Sequence, residues 1–509
     1  MTLTQSENNY ESAGSLNKLN VLWIIADQLR ADCLGIYGNP VIQTPNIDRL
    51  GSQGSVIDGV QVTTPLCTPS RASMITSLYP HQHGAWNLGV ALSETIPTVE
   101  DYLSTQGYTT FAVGKMHFAP DAGPLCPTRA DNRRAWEAGY FDDWHGPYYG
   151  FQHVAMSLGH HFPGGHYGLA LQQKDPNLAQ LFSRDRALRI PTGAPDSWVS
   201  PLAEEDHISW WVARETDRFL TQFQHEPFFG WISFSDPHHP FAPPEPYASM
   251  YDPADMPKPH CHPGELQDKP PHFRQYYEGL IPHEGMAKLG IKVASVSDEQ
   301  MREITAHTYG MISLLDKAIG HILNRLTELD LDRNTLVILC SDHGELLGDH
   351  GLLFKGPFLY ESVTKIPFII RSPNHGAVRL TNLMSTVDIA PSLLRYMNIP
   401  IPEWMSGNPL PLFCEDMAVS AKRSVLTEYR SSETWPGLQL KSVRTPRYRL
   451  TKYIGQTEGE LYDLWDDPYQ FRNLYHVRDY QNLRLDLMEE LVDCIGTIQR
   501  RYERRTAHA

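Results

Sequence analysis

The chain has no apolar run that approaches the ~18–20 residues a membrane-spanning helix needs, so no membrane partner is expected. Cysteine is scarce. Cys33, Cys67, Cys126, Cys261, Cys340, Cys414 and Cys494 lie scattered without paired spacing. That excludes a disulfide framework and reads as a reduced compartment. Positive charge is in deficit: 43 Lys and Arg stand against 59 Asp and Glu, for a formal net charge of -16. A nucleic-acid backbone is therefore excluded as the main partner. A small anionic substrate is not, because a local cationic pocket can dominate an acidic surface. The stretch 1–20 lacks the apolar core of a secretory signal, and the cytoplasm is the expected location. Internal repeats are absent too.

What is present is the make-up of a folded enzyme-sized protein, 509 residues with 41% hydrophobic and 20% charged, too long for one small core. Residues 1–18, rich in Ser, Asn and Glu, read as a disordered or extended tail. Asn20 to Ala26 is an almost continuous apolar run, as suits a strand buried on both faces of a parallel sheet, and it ends at Asp27-Gln28. Phe228 to Phe234 has the same character and ends at Ser235-Asp236-Pro237-His238. Thr335 to Cys340 ends at Ser341-Asp342-His343-Gly344. Ligands bind beyond the carboxyl ends of strands in open α/β sheets, so these deliveries predict a site assembled on one sheet edge.

Between the strands, Ser297 to Leu329 predicts a helix opened by a Ser297/Gln300 capping box. Its stripe of Met301, Ile304, Met311, Leu315, Ile322 and Leu326 is core packing. The pattern predicts an α/β domain over 19–401. Segments 120–200 and 240–295, rich in Pro, Gly, His and aromatics, are expected to wall the pocket. Their His160, His161 and His166 read as surface or structural groups. Residues 402–509 change style to alternating, half-exposed strands and a terminal helix around 479–502, a smaller C-terminal α+β subdomain.

One run carries more information than the rest. Leu66-Cys67-Thr68-Pro69-Ser70-Arg71 reads C-x-P-x-R and continues through Ala72-Ser73-Met74-Ile75-Thr76-Ser77-Leu78-Tyr79-Pro80-His81-Gln82-His83-Gly84. A lone Cys-x-Pro would be a structural cysteine before a helix. The whole run closely resembles the signature of the type I, formylglycine-dependent sulfatases of the alkaline phosphatase superfamily. Leu461-Tyr462-Asp463-Leu464 to Asp467-Pro468 and Asn473-Leu474 resemble that family's C-terminal motif. The resemblance implies an alkaline-phosphatase-like sandwich with a mixed, mostly parallel central sheet and a smaller C-terminal antiparallel-sheet domain. It also implies that a formylglycine-generating enzyme oxidises Cys67 to formylglycine. The nucleophile is then one hydroxyl of a geminal diol.

The resemblance extends to the other motifs. Asp27-Gln28 and Asp342-His343 look like the two metal-binding pairs. Most sulfatases carry two aspartates at the first; Gln28 keeps an oxygen ligand but removes a charge, and resembles the phosphonate monoester hydrolase branch. The implied cofactor is one divalent ion, Ca2+, on Asp27, Gln28, Asp342, His343 and the matured residue 67. The nitrogen ligand leaves Mn2+ or another divalent ion open. Arg71, one helical turn after Cys67, projects back toward it if a helix starts near Thr68-Pro69, and is implied to hold the formylglycine oxyanion. Lys115 and His117 match G-K-x-H, and two residues apart on an extended segment they point the same way. The implied roles are contact with formylglycine and sulfate for Lys115, and expulsion of sulfate for His117. The phosphonate branch departs from Lys and His here, which favours sulfate esters. Pro237-His238-His239-Pro240 matches P-H-x-P. His238 is implied to protonate the leaving oxygen, with His239 the adjacent alternative. Lys355 takes the place of a sulfate-binding lysine, and Asn87 is a weaker candidate for substrate contact.

The expected activity is hydrolysis of a small-molecule or glycan sulfate monoester, with phosphonate monoester or phosphodiester hydrolysis by the same site as the alternative. The terminal helix and insertions could contribute contacts to a homo-oligomer.

Overall fold

The computed structural model describes residues 18–159, 163–281, 291–413, 423–431 and 435–497. His160, His161 and the end of the terminal helix expected beyond 497 lie outside them. The main sheet has eight strands: β1 (Asn20–Ala26), β2 (Ser55–Gln61), β3 (Thr109–Lys115), β4 (His153–Leu158), β5 (Phe228–Phe234), β6 (Thr335–Ser341), β7 (Phe368–Arg371) and β8 (Val378–Ser385). Their spatial order is β4-β3-β5-β1-β6-β7-β2-β8. β7 runs antiparallel to both its neighbours, and the remaining pairs are parallel. This is the mixed, mostly parallel sheet expected above.

The strands are apolar throughout because both faces are covered. Leu22 and Ile24 join one core layer, and Val21, Trp23 and Ile25 the other. The long helix (Asp298–Glu328) covers the first layer. It opens on Ser297, whose Oγ accepts the Gln300 N–H at 3.2 Å, while Gln300 Oε1 accepts the Ser297 N–H at 3.0 Å. Its stripe from Met301 to Leu326 is buried. No helix among the described residues is long and apolar enough to cross a membrane.

The register explains why distant residues meet. Ala26 is level with Phe234 on β5 and Ser341 on β6, so Asp27, Ser235 and Asp342 leave the sheet side by side. On β3, Gly114 pairs with Ser233. A Cβ at Gly114 would stand 1.9 Å from the Ser233 carbonyl oxygen, and its φ is +92°, so only glycine allows this approach beside Lys115. β4 comes from the 120–200 segment, where the sequence showed no strand. Six residues flanked by Gly and Pro are too few to display a period, yet β4 pairs in parallel with β3 at the sheet edge.

The second sheet is an antiparallel meander, β12-β11-β10-β9, of β9 (Val425–Arg430), β10 (Gln439–Arg444), β11 (Tyr448–Tyr453) and β12 (Gly459–Asp463). The terminal helix (Gln481–Thr497) lays Leu487 and Leu491 on its Leu426, Val443, Leu450 and Leu461. It is anchored to the main body by Glu428 N–H to the Thr63 carbonyl at 2.7 Å, and by the fully buried Arg449, which donates to Gln61 and Thr364 at 2.8 Å each and pairs with Glu361 at 2.5 Å.

Candidate active site

Helix Cys67–Thr76 is buried along its whole length and starts on Cys67 itself, after an extended Leu66 without a side-chain cap. Its unsatisfied first-turn N–H groups put positive potential at residue 67. Cys67 Sγ lies 3.1 Å from His343 Nε2 and 3.7 Å from Asp27 Oδ1. His343 Nδ1 is 2.8 Å from the Gly344 carbonyl, which can only accept, so Nδ1 carries a proton and Nε2 is the ring nitrogen facing Cys67.

Asp27, Cys67, Asp342 and His343 offer ligand atoms all within 4.8 Å of one another, every residue buried. Gln28 N–H donates to Asp342 Oδ1 at 3.1 Å. Its side-chain NH2 is taken by Glu345, which leaves Oε1 as the end facing Lys355 Nζ. Two carboxylates and one imidazole nitrogen form a donor set that fits a hard divalent cation, while the Gln28 amide oxygen accepts from Lys355.

Cations ring this cluster. Arg71 is fully buried. Nε donates to Asp342 Oδ2 at 2.8 Å, Nη2 to Asp27 Oδ2 at 3.2 Å, and Nη1 to the Lys115 carbonyl at 3.0 Å and Ser233 Oγ at 2.7 Å. Four of its five N–H groups are thus spent holding strand ends and carboxylates together. The helical spacing predicted proximity to Cys67, and the tertiary contacts make Arg71 chiefly the clamp between Asp27 and Asp342. Lys115 Nζ pairs with Asp27. Lys355 Nζ also lies 2.6 Å from His238 Nε2. Burial and the Asp27 carboxylate push the Cys67 thiol up, but Lys115, Lys355 and His343 outweigh them and hold it below its ordinary value.

His238 Nδ1 faces the His239 carbonyl at 2.5 Å. The two rings stack at 3.9 Å. His239 is 0% exposed, with Nδ1 3.3 Å from Gln28 Nε2, whereas His238 at 8% borders an open cavity. Of the adjacent histidines, only His238 lines that cavity. His117 has a left-handed backbone (φ 57°) and a buried Nδ1 without a partner. Burial, then Lys115 and Arg71, hold its imidazole well below the usual range, so it is neutral at pH 7. Asn87 Nδ2 donates to the Arg430 carbonyl at 2.7 Å, and His166 bonds Met156 N–H and the Trp144 carbonyl, a structural role.

Two supporting residues were not assigned roles from the sequence. Asp131 accepts the N–H groups of His117, Phe118 and Ala119 at 3.0–3.1 Å and the Tyr148 hydroxyl at 2.7 Å. Burial lifts its pKa to about 6. It lies in the aperiodic 120–200 segment, where no local signal marks it. Asp131→Ala strands four donors, three N–H groups and the Tyr148 hydroxyl, so a loss of about 3 kcal/mol or more in stability is expected, read by denaturant unfolding, with kcat falling as the 117–119 loop loosens.

Glu345 follows the Asp342-His343-Gly344 motif. It accepts Gln28 on Oε2, and the N–H groups of Leu347 (3.1 Å) and Phe354 on Oε1. Glutamine offers one acceptor where Glu345 uses two. Glu345→Gln is therefore expected to weaken Ca2+ or Mn2+ binding by about 10–100-fold, measured by calorimetry on chelator-treated protein. Adding Gln28→Asp should restore it, because the new amide can donate to the new carboxylate. Unchanged affinity in the single variant would show that Gln28 needs no such anchor.

Comparisons with known proteins find relatives along most of the chain. A family model described as "Sulfatase" matches residues 19–399, and one described as "N-sulphoglucosamine sulphohydrolase, C-terminal" matches 348–496. The chain is 28% identical to an arylsulfatase of Clostridium perfringens, over 93% of this chain and 94% of that protein. It is 26% identical to the uncharacterized sulfatase YidJ of Escherichia coli, over 95% and 88%. Among solved structures, the phosphonate monoester hydrolase of Agrobacterium radiobacter superposes with a TM-score of 0.80 at 26% identity, over 95% of this chain and 96% of that one.

Proposed function

Because this chain belongs to the sulfatase family, we propose that it hydrolyses an organic sulfate monoester through a formylglycine made from Cys67 by a formylglycine-generating enzyme. The observation that carries this reading is the position of Cys67 Sγ, 3.1 Å from His343 and 3.7 Å from Asp27 inside a buried ring of Lys115, Arg71 and Lys355. A hard divalent cation held by carboxylates matches an oxygen nucleophile at that position better than a soft thiolate.

A hydrated formylglycine supplies one hydroxyl to attack sulfur and a second whose deprotonation ejects sulfate. Asp27, Gln28, Asp342 and His343 would hold a divalent ion, which when bound would supply Lewis acidity to the reaction. The chain's own residues do the rest. Lys115 and Lys355 place positive charge where the sulfate oxygens gather, in a site dry enough for charge-assisted hydrogen bonds to count. Arg71 holds Asp27 and Asp342 at the spacing the cluster requires. His238, oriented by the His239 carbonyl through Nδ1, turns Nε2 to Lys355 and, once it has taken a proton from that ammonium, delivers it from Nε2 to the leaving oxygen. His117, neutral and with an unpartnered ring nitrogen, takes the proton from the remaining hydroxyl.

The test is direct. Protein co-produced with a formylglycine-generating enzyme should yield a residue-67 peptide lighter than the cysteine form by about 18 Da, and should hydrolyse 4-nitrophenyl sulfate. A second reading, phosphonate monoester or phosphodiester hydrolysis by the same site, draws support from Gln28 and from the Agrobacterium radiobacter likeness. Kinetics on a matched aryl sulfate, phosphonate monoester and phosphodiester separate them: a higher kcat/KM on the phosphonate would overturn the sulfate-ester assignment.

A further inference from the structure

Beside His238 lies a cavity of about 50 Å³, enough for roughly four water-sized groups. Tyr167, Phe182 and Trp198 wall it, while Ser235 and Asp236, just past β5, line it beside His238. Asp236 is only 4% exposed. Its Oδ2 accepts the Ser209 hydroxyl. His207 Nδ1 stands 3.6 Å away, beyond hydrogen-bond reach, and already accepts the Ser209 N–H at 3.3 Å. Among the described residues no Lys or Arg pairs with Asp236, and Oδ1 accepts no hydrogen bond. Ser235 Oγ, also lining the cavity, is buried without a partner. The contrast with Asp27 and Asp342, both clamped by Arg71, is physical: a buried carboxylate without a cation is costly, and here it faces open space.

We propose that this cavity seats the leaving alcohol and that the alcohol carries a compact cationic group, a quaternary or protonated alkylammonium. Aromatic faces and a buried carboxylate are the two features that attract such a cation. The volume admits a head of a few heavy atoms. His238 stands between the two charge zones, with Lys355 against its Nε2 and the Asp236 cavity beside it. A zwitterionic ester would span them with its bridging oxygen at His238. That placement rests on the sulfate-ester reading; the affinity of the cavity for a cation does not.

The experiment compares kcat/KM for 2-(trimethylammonio)ethyl sulfate with that for its neutral isostere, 3,3-dimethylbutyl sulfate, using 4-nitrophenyl sulfate as a reference ester. A preference of about tenfold or more for the cation is expected, collapsing toward unity in Asp236→Asn. Equal values for the two alkyl esters overturn the proposal while hydrolysis of the aryl ester keeps the sulfatase reading intact. Should no ester be cleaved by matured enzyme, that reading fails, and calorimetric binding of tetramethylammonium still decides the cavity. Binding to the wild type that is lost in Asp236→Asn supports it, and no binding to the wild type overturns it. Because Asp236 also holds Ser209, Trp198→Leu provides an independent variant, expected to weaken tetramethylammonium binding and the alkyl preference together.

Discussion

A Cys67→Ser variant given substrate is expected to release one equivalent of alcohol and then stop. Serine at the head of helix Cys67–Thr76 keeps an oxygen that can attack sulfur beside Asp27 and His343. It has no second hydroxyl from which His117 could take a proton to break the new ester. The sulfate therefore stays on the side chain, adding about 80 Da to the intact mass, and multiple turnover falls by about 10³-fold or more. Wild-type protein produced without a maturing enzyme, its cysteine intact, should show neither turnover nor the added mass. A serine variant that cycles at the wild-type rate would sink the two-hydroxyl route.

The second large effect belongs to His238. Replacing it by alanine removes the proton donor at the cavity mouth, and a loss of about 10²–10⁴-fold in kcat is expected for alkyl sulfates. The loss should shrink for 4-nitrophenyl sulfate, whose phenolate departs without a proton. The readout is the dependence of log kcat/KM on leaving-group pKa, which should steepen in the variant. An equal loss across all leaving groups would instead mean that His238 only positions Lys355, which lies 2.6 Å from its Nε2. His239→Ala, acting through Gln28 at 3.3 Å, should lower metal affinity without changing that slope.

Much of this was legible before any coordinates. The runs at Asn20, Phe228 and Thr335 read as doubly buried strands because an unbroken apolar stretch ending in titratable residues has few other uses. The Ser297/Gln300 box and its apolar stripe marked the long helix for the same local reasons. The motifs around Cys67, Lys115, His238 and Lys355 are short and contiguous, so a linear reading can find them. What was not legible acts across the chain. Asp131 holds the backbone of His117 to Ala119 from an aperiodic segment. Glu345 matters only because Gln28, 317 positions away, turns its amide toward it. β4 was too short to show a period.

The sequence by itself determined the chemistry on offer: which side chains stand at strand ends, which cysteine precedes Pro69 and Arg71, and that the sheet would be buried on both faces. The tertiary structure alone decided the distances. Arg71 serves Asp27 and Asp342 because the register of β1, β5 and β6 ends those strands in one row. Among the described residues Asp236 has no Lys or Arg partner, because its neighbours come from elements whose mutual placement no local pattern encodes. Residue identity and periodicity are local properties of the chain, whereas hydrogen-bond partners and unpaired buried charges are properties of how distant segments pack.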